Sequence, residues 1–225
     1  MSTTTFPAQW SLADLLHHLG DIPAERVRLR PAPGTAVEAD VTNVHETEGR
    51  MCELIDGVLV EKTMGYQESK LAMWIGHLIQ SFLDEHDLGE LTGADGAMRL
   101  MPGMVRIPDV AFISNERLQN CPDTDQPIPD LCPDLAVEVL SKSNTPAEME
   151  RKLRDYFFNG CRAVWLVDPR QRTVCVATSP DTTSTLTEGQ VLAGEPALPG
   201  FAVPVARLFA RTQSPRPRKR GKKKP

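Results

Sequence analysis

Leu12, Leu15, Leu16 and Leu19 recur at helical spacing, and Ser11 with Asp14 ahead of them forms a capping-box pair. The pattern predicts a first helix that starts near Trp10 and stops at Gly20. Residues 21–48, with Pro23, Pro31, Pro33 and Gly34, hold no sustained period and read as an extended arm laid over the body. From Cys52 to Glu61 two apolar runs flank Asp56-Gly57, the pair that suits a type I′ turn, so a β-hairpin is predicted. A long helix follows from about Tyr66 to His86: Leu71, Trp74, Ile75, Leu78, Ile79, Phe82 and Leu83 make one wide apolar stripe before Gly89. Strands are expected at 90–92, 97–101, 107–114 and 135–141, with the polar, proline-rich stretch 115–133 as a loop or flap. Asn144-Thr145-Pro146 offers a cap and a proline at the first helical position. The helix it opens turns Met149, Leu153, Tyr156 and Phe157 inward and ends at Gly160. A last strand pair, 163–167 and 172–177, brackets Asp168-Pro169. This order, with continuous apolar runs in two strands, indicates an α/β (α+β) layer fold around a mostly buried mixed sheet.

Composition narrows the class. The 225 residues are 40% hydrophobic and 24% charged, as expected of a globular chain with a core. No stretch approaches the roughly 18 apolar residues of a membrane span, and Met1–Pro7 lacks the basic and apolar segments of a secretory signal. Neither a membrane protein nor a secreted one is expected. Cys52, Cys121, Cys132, Cys161 and Cys175 are scattered without a Cys-x-x-Cys pair, which argues against a disulfide framework or cysteine-rich zinc site and fits a reducing cytoplasm.

The net charge of −5 hides an asymmetry. Eight of the 25 Lys and Arg fall in residues 211–225, which hold no acid; the remainder carries 17 basic against 30 acidic side chains. That tail is too polar to bury itself and is expected to be disordered. It reads either as a tether for nucleic-acid phosphates or as a solubilising end resting on the acidic body.

The informative residues are acids inside apolar strands. Alternation puts Asp109 on the face of Ile107, Ala111 and Ile113, and Glu138 on the face of Ala136 and Leu140. An isolated carboxylate there costs several kcal/mol unless it is paired, hydrogen-bonded or bound to a metal. Two on neighbouring strands repel each other, so either a pKa rises or a hard divalent cation is shared. The competing reading gives each acid its own Arg or Lys at a strand end. Lys152, between Met149 and Tyr156, is placed to reach both acids or to pair with Glu148 on the helix surface. Glu68, in the first turn of the long helix, stabilises that helix end or projects into the site. The five histidines make no His-Glu-x-x-His pattern, and neither a Gly-x-Ser-x-Gly elbow nor a phosphate-binding glycine loop is found.

A Pro-Asp pair ending a strand, an acid in the next apolar strand and then a lysine resemble the PD-(D/E)XK nuclease superfamily. More closely, the chain is similar to the Uma-two family of restriction-endonuclease-like proteins. The matching stretches are Cys52-Glu-Leu-Ile-Asp-Gly57, Arg106-Ile-Pro-Asp-Val110, Leu135-Ala-Val-Glu-Val-Leu-Ser141, Lys152 with Tyr156, and Val164-Trp-Leu-Val-Asp-Pro169. The resemblance implies a restriction-endonuclease-like core over 49–210, preceded by a helix and arm (1–48) and followed by the tail. It also implies Mg²⁺-dependent hydrolysis of DNA phosphodiesters, with Mn²⁺ as a substitute. Asp109, Glu138 and the Val139 carbonyl would hold the ion, and Lys152 would orient the attacking water or stabilise developing charge. Glu68 and Glu53 follow as a further ligand and a supporting acid. The superfamily's lysine usually stands two residues after the second acid, where this chain has Leu140, so Lys152 supplies the amine and Lys142 is a weaker substitute. Many members carry a histidine where this chain has Glu68. An acidic body suits DNA poorly; the tail, a bound cation and a homodimer are the expected remedies.

Two other readings stay open. One is a non-catalytic nucleic-acid-binding or regulatory module on the same fold. The other is an unrelated structural or interaction protein whose acids are satisfied by Arg99, Arg106 or Arg154. If the acids share an ion site, removing either is expected to leave the ion-free fold unchanged or stabilised, because repulsion is relieved.

Overall fold

The computed structural model describes residue 6, residues 10–63 and residues 65–211; apart from Arg211, the basic tail lies outside them. Strand β1 (Cys52–Ile55) and strand β2 (Val58–Glu61) form the expected hairpin, with Asp56 (φ 49°) and Gly57 (φ 73°) both left-handed as a type I′ turn requires. Strand β3 (Gly89–Thr92) departs to another sheet, whereas β4 (Met98–Met101) and β5 (Met104–Arg106) extend the hairpin into a sheet of order β2-β1-β5-β4.

The strand expected at 107–114 is divided. β5 ends at Arg106 in this first sheet, and β6 (Val110–Ser114) opens in the second. Pro108, which has no N–H for a ladder, marks the crossing. The second sheet also holds β7 (Leu135–Val139), β8 (Ala163–Asp168), β9 (Thr173–Ala177) and β10 (Thr183–Leu186), in the order β10-β9-β8-β7-β6-β3. Only the β7–β8 pair among these is parallel, so the sheet is mixed, as the sequence indicates. A further small ribbon pairs β11 (Val191–Ala193) with β12 (Ala202–Pro204).

Helix α1 (Leu12–His18) begins at Ser11 with the predicted capping box. Within the segment that reads as an extended arm, residues 38–48 form helix α2 (Glu38–Glu48). Only Val41 and Val44 of α2 are buried, two positions that are too few to set a visible period. Helix α3 (Tyr66–Leu83) stops three residues short of the expected His86. Helix α4 (Asn115–Asn120) occupies the start of the expected flap, where the Ser114 hydroxyl accepts from the Arg117 N–H. Helix α5 (Pro146–Phe158) is the β7–β8 crossover, capped by Thr145 with Pro146 in its first turn, and α6 (Val205–Leu208) closes the described chain.

The two long helices cover opposite faces of the six-stranded sheet. Leu71, Ile75 and Ile79 of α3 pack with Val110, Phe112, Val137 and Trp165. On the other face Met149, Leu153 and Tyr156 of α5 pack with Ala136, Val164 and Leu166. Among the described residues no helix is long and apolar enough to cross a membrane.

Candidate active site

Strand alternation decides where the acids go. Leu135, Val137 and Val139 of β7 face α3, which leaves Glu138 beside Ala136 on the α5 face. Ala111 lies away from Val110 and Phe112 in the same way, and Asp109 extends that row at the chain crossing. The Asp109 N–H donates to the Val137 carbonyl at 3.0 Å, and its Oδ2 accepts from the Val139 N–H at 2.7 Å. A strand residue directs its N–H and C=O to the same neighbour, so the Val139 carbonyl also faces the Asp109 side. Asp109 and Glu138 are each 5% exposed.

The first sheet contributes the rest of the cluster. Glu53, at the centre of β1, has Arg106 at the end of β5 on its Oε2 (2.8 Å) and the Ile107 N–H on its Oε1 (3.1 Å). Lys62, one residue past β2, reaches Asp109 Oδ1 at 2.9 Å. From α5, Lys152 donates to Glu138 Oε2 at 2.9 Å and stands 3.2 Å from Glu53 Oε1. One helical turn further, the Tyr156 hydroxyl donates to Glu138 Oε1 at 2.7 Å, while Asp155 receives the other arm of Arg106. Lys152, Asp155 and Tyr156 share a face because they lie three and four residues apart. Two sheets and one helix therefore converge on alternating acids and bases.

The electrostatics follow from burial and proximity. Burial raises the Glu138 carboxyl; Lys152 pulls it down, but Asp109 and Glu53 push it up, and the net shift is upward. Burial acts on Glu53 too, yet Lys152, Arg106 and Lys62 together overcome it and hold that carboxyl below its usual range. Burial alone would lower the Lys152 ammonium, but Glu138 and Glu53 reverse the effect, so Lys152 stays charged. Tyr156 is pushed well up by burial and by the same two acids, which keeps its phenol a donor.

The structure brings together Asp109, Glu138 and Lys152, the acids and amine that the strand and helix patterns single out, with Glu53, which only the family resemblance suggests. It does not bring Glu68 there. That carboxylate turns back over Gly65, the N-cap of α3, where its Oε2 would lie 2.3 Å from a Cβ at that glycine. Among the described residues no hydrogen bond or ion pair joins it to the cluster. Lys142 is exposed beyond β7, and Glu148 pairs with Arg26 at 2.8 Å rather than with Lys152. Of the arginines weighed as partners, Arg99 binds Asp130, Arg154 is exposed and Arg106 holds Glu53 and Asp155. Two lysines, not arginines, hold Asp109 and Glu138. Lys62 escaped notice in the sequence because it reads as the first polar residue after a strand.

Asp109 is also the member that meets open space. A groove of about 410 Å³ between α3 (Ser69, Met73, His77) and residues 91–94 reaches Asp109 and Val110. The donors suit a hard cation in kind: two carboxylates and a backbone carbonyl, the small protein share that Mg²⁺ takes while keeping waters. Among the described residues no group of three or more His, Cys, Asp or Glu side chains is disposed to hold a metal ion.

Comparison with known proteins speaks to the fold and the family. A solved structure described as that of a "putative nuclease belonging to DUF820" from Anabaena variabilis superposes with a TM-score of 0.64 at 17% identity, over 72% of this chain and 92% of that one. At that identity the likeness is one of fold. No curated protein matches the chain. The profile of the Uma2 family, described as "Putative restriction endonuclease", matches residues 35–206, most of the chain's length. The chain belongs to the Uma2 family.

Proposed function

We propose that the protein is a Mg²⁺-dependent DNA endonuclease. The observation that carries this reading is the burial of Asp109 and Glu138 on one face of the mixed sheet with the Lys152 ammonium 2.9 Å from Glu138. Family membership supports the nuclease class; the metal and the DNA substrate rest on the site's chemistry.

Asp109, Glu138 and the Val139 carbonyl would hold the ion. When bound, Mg²⁺ supplies Lewis-acid polarisation of the phosphoryl group and acidifies a water. The remaining work falls to the chain. Tyr156 fixes Glu138 through Oε1, and the Val139 N–H fixes Asp109 through Oδ2, so both carboxylates are oriented before substrate arrives. Glu53, itself clamped by Arg106 and the Ile107 N–H, is a second carboxylate beside Lys152. Lys152 thereby keeps its charge and stands ready to stabilise negative charge developing on the phosphate or to orient the attacking water. The groove beside α3 gives a strand access to Asp109.

The test is cleavage of supercoiled plasmid with Mg²⁺ by wild type, Asp109→Asn and Glu138→Gln. Wild type is expected to cut, and each variant to lose activity by on the order of 10²–10³ or more. One observation favours a second reading: lysines already neutralise both acids, as suits a module that binds nucleic acid without cutting it. DNA binding by wild type with no cleavage in Mg²⁺ or Mn²⁺ would select that alternative.

A further inference from the structure

The chemistry above assigns nothing to Lys62. Its side chain is 7% exposed, and Nζ contacts Asp109 Oδ1 (2.9 Å), the Ile107 carbonyl (2.6 Å) and the Ala94 carbonyl (3.2 Å). The ammonium donates hydrogen bonds to the two backbone carbonyls and forms an ion pair with the Asp109 carboxylate. One carboxylate and two backbone carbonyls are also oxygens of the kind that a hard cation selects. The charge of Lys62 is felt at Glu53 and Glu138 as well as at Asp109. Two of the residues that Lys62 contacts, Ala94 and Asp109, line the groove of about 410 Å³.

We propose that Lys62 is an internal counter-cation: its ammonium competes with the divalent ion for Asp109, and ion entry displaces it and releases the Ala94 carbonyl at the groove's edge. The proposal rests on the reading of Asp109 and Glu138 as an ion site. Two positive charges at contact distance on one carboxylate oxygen repel each other strongly in a desolvated site, so a bound ion weakens the hold of the lysine on Asp109. The lysine thus keeps the acids tolerable without metal and sets a threshold concentration for loading.

The test is Mn²⁺ titration by calorimetry of the full chain as wild type, Lys62→Gln and Lys62→Met. Gln keeps a donor for Asp109, so it guards against Met stranding a buried charge and failing to fold. Both variants are expected to bind Mn²⁺ at least about tenfold more tightly than wild type. Equal or weaker binding by the variants, with wild type binding, overturns the competition and leaves the ion site standing. A Lys62 of purely structural role lowers the ion-free melting temperature without changing Mn²⁺ affinity, which likewise overturns it. No binding by any of the three proteins overturns the ion site and the proposal together. A measurement on wild type alone completes the set: Mn²⁺ is expected to speed amide hydrogen exchange over residues 93–97, and unchanged exchange contradicts displacement.

Discussion

At the residue scale, the site is a lattice in which Glu53, Asp109 and Glu138 alternate with Lys62, Lys152 and Arg106. Asp109 and Glu138 are legible in the sequence because charge interrupts an apolar alternation, and Lys152 because it falls at the edge of the inner face of a well-marked helix, whereas Glu53 is suggested only by the family resemblance. Lys62 carried no such mark: its partners come from segments 32 and more residues away, and only the fold brings them to it. It also alters one expectation. Removing an acid was expected to relieve repulsion, but each acid now balances a buried ammonium, so its loss strands a cation. Lys152→Met, which exposes Glu53 and Glu138 to each other, is expected to cost about 3–5 kcal/mol in urea unfolding. Adding Glu138→Gln should recover a substantial part of that loss; simple additivity of the two single changes would mean that the pair is not coupled.

At the element scale, several contacts tie the hairpin and α1 to α5, the helix that carries Lys152. The Thr145 hydroxyl, which caps α5, also donates to the Gly20 carbonyl, and Arg151 donates to the His18 carbonyl and to Asp56. Gly20 has φ 91°, and a Cβ there would stand 2.6 Å from the Glu148 Cα and N, both backbone atoms. Gly20→Ala is therefore expected to cost about 2 kcal/mol or more, read as a fall in melting temperature. Asp56 gives a pH dependence. Burial raises its carboxyl, but hydrogen bonds from Arg151 and His18 outweigh that and hold it below the usual range. A lowered folded-state pKa contributes stability above the unfolded value of about 3.9 and loses it as pH falls through the folded value. Asp56→Asn keeps a residue that tolerates the left-handed turn, so it isolates the charge. The variant should be about 1–2 kcal/mol less stable at pH 7, and the gap should shrink towards pH 3; a gap independent of pH contradicts the charged contact.

The same scale shows what patterning could and could not give. Caps and long stripes, as in α1, α3 and α5, are local and were readable. Helix α2 buries two side chains, and β10 is an edge strand of Thr and Ser with three of its four residues exposed, so neither leaves a hydrophobic signature. The apolar run around Pro108 reads as one strand, because which sheet each half joins depends on partners elsewhere in the chain.

At the scale of the whole molecule, two sheets exchange the chain at residues 107–109, and the cluster sits at that exchange. Glu53, Lys62 and Arg106 come from the four-stranded side and Asp109 and Glu138 from the six-stranded side, so the site exists only when both sheets are formed. The groove along α3 is lined by Asp109 and Val110, next to that exchange. The most direct measurement is the anomalous density of a crystal soaked in Mn²⁺. A peak bounded by the carboxylates of Asp109 and Glu138, with Lys62 Nζ withdrawn from Asp109 Oδ1, is the expected result. An empty map with the Lys62–Asp109 contact still near 2.9 Å would contradict the ion site, and with it the hydrolytic role assigned to these acids.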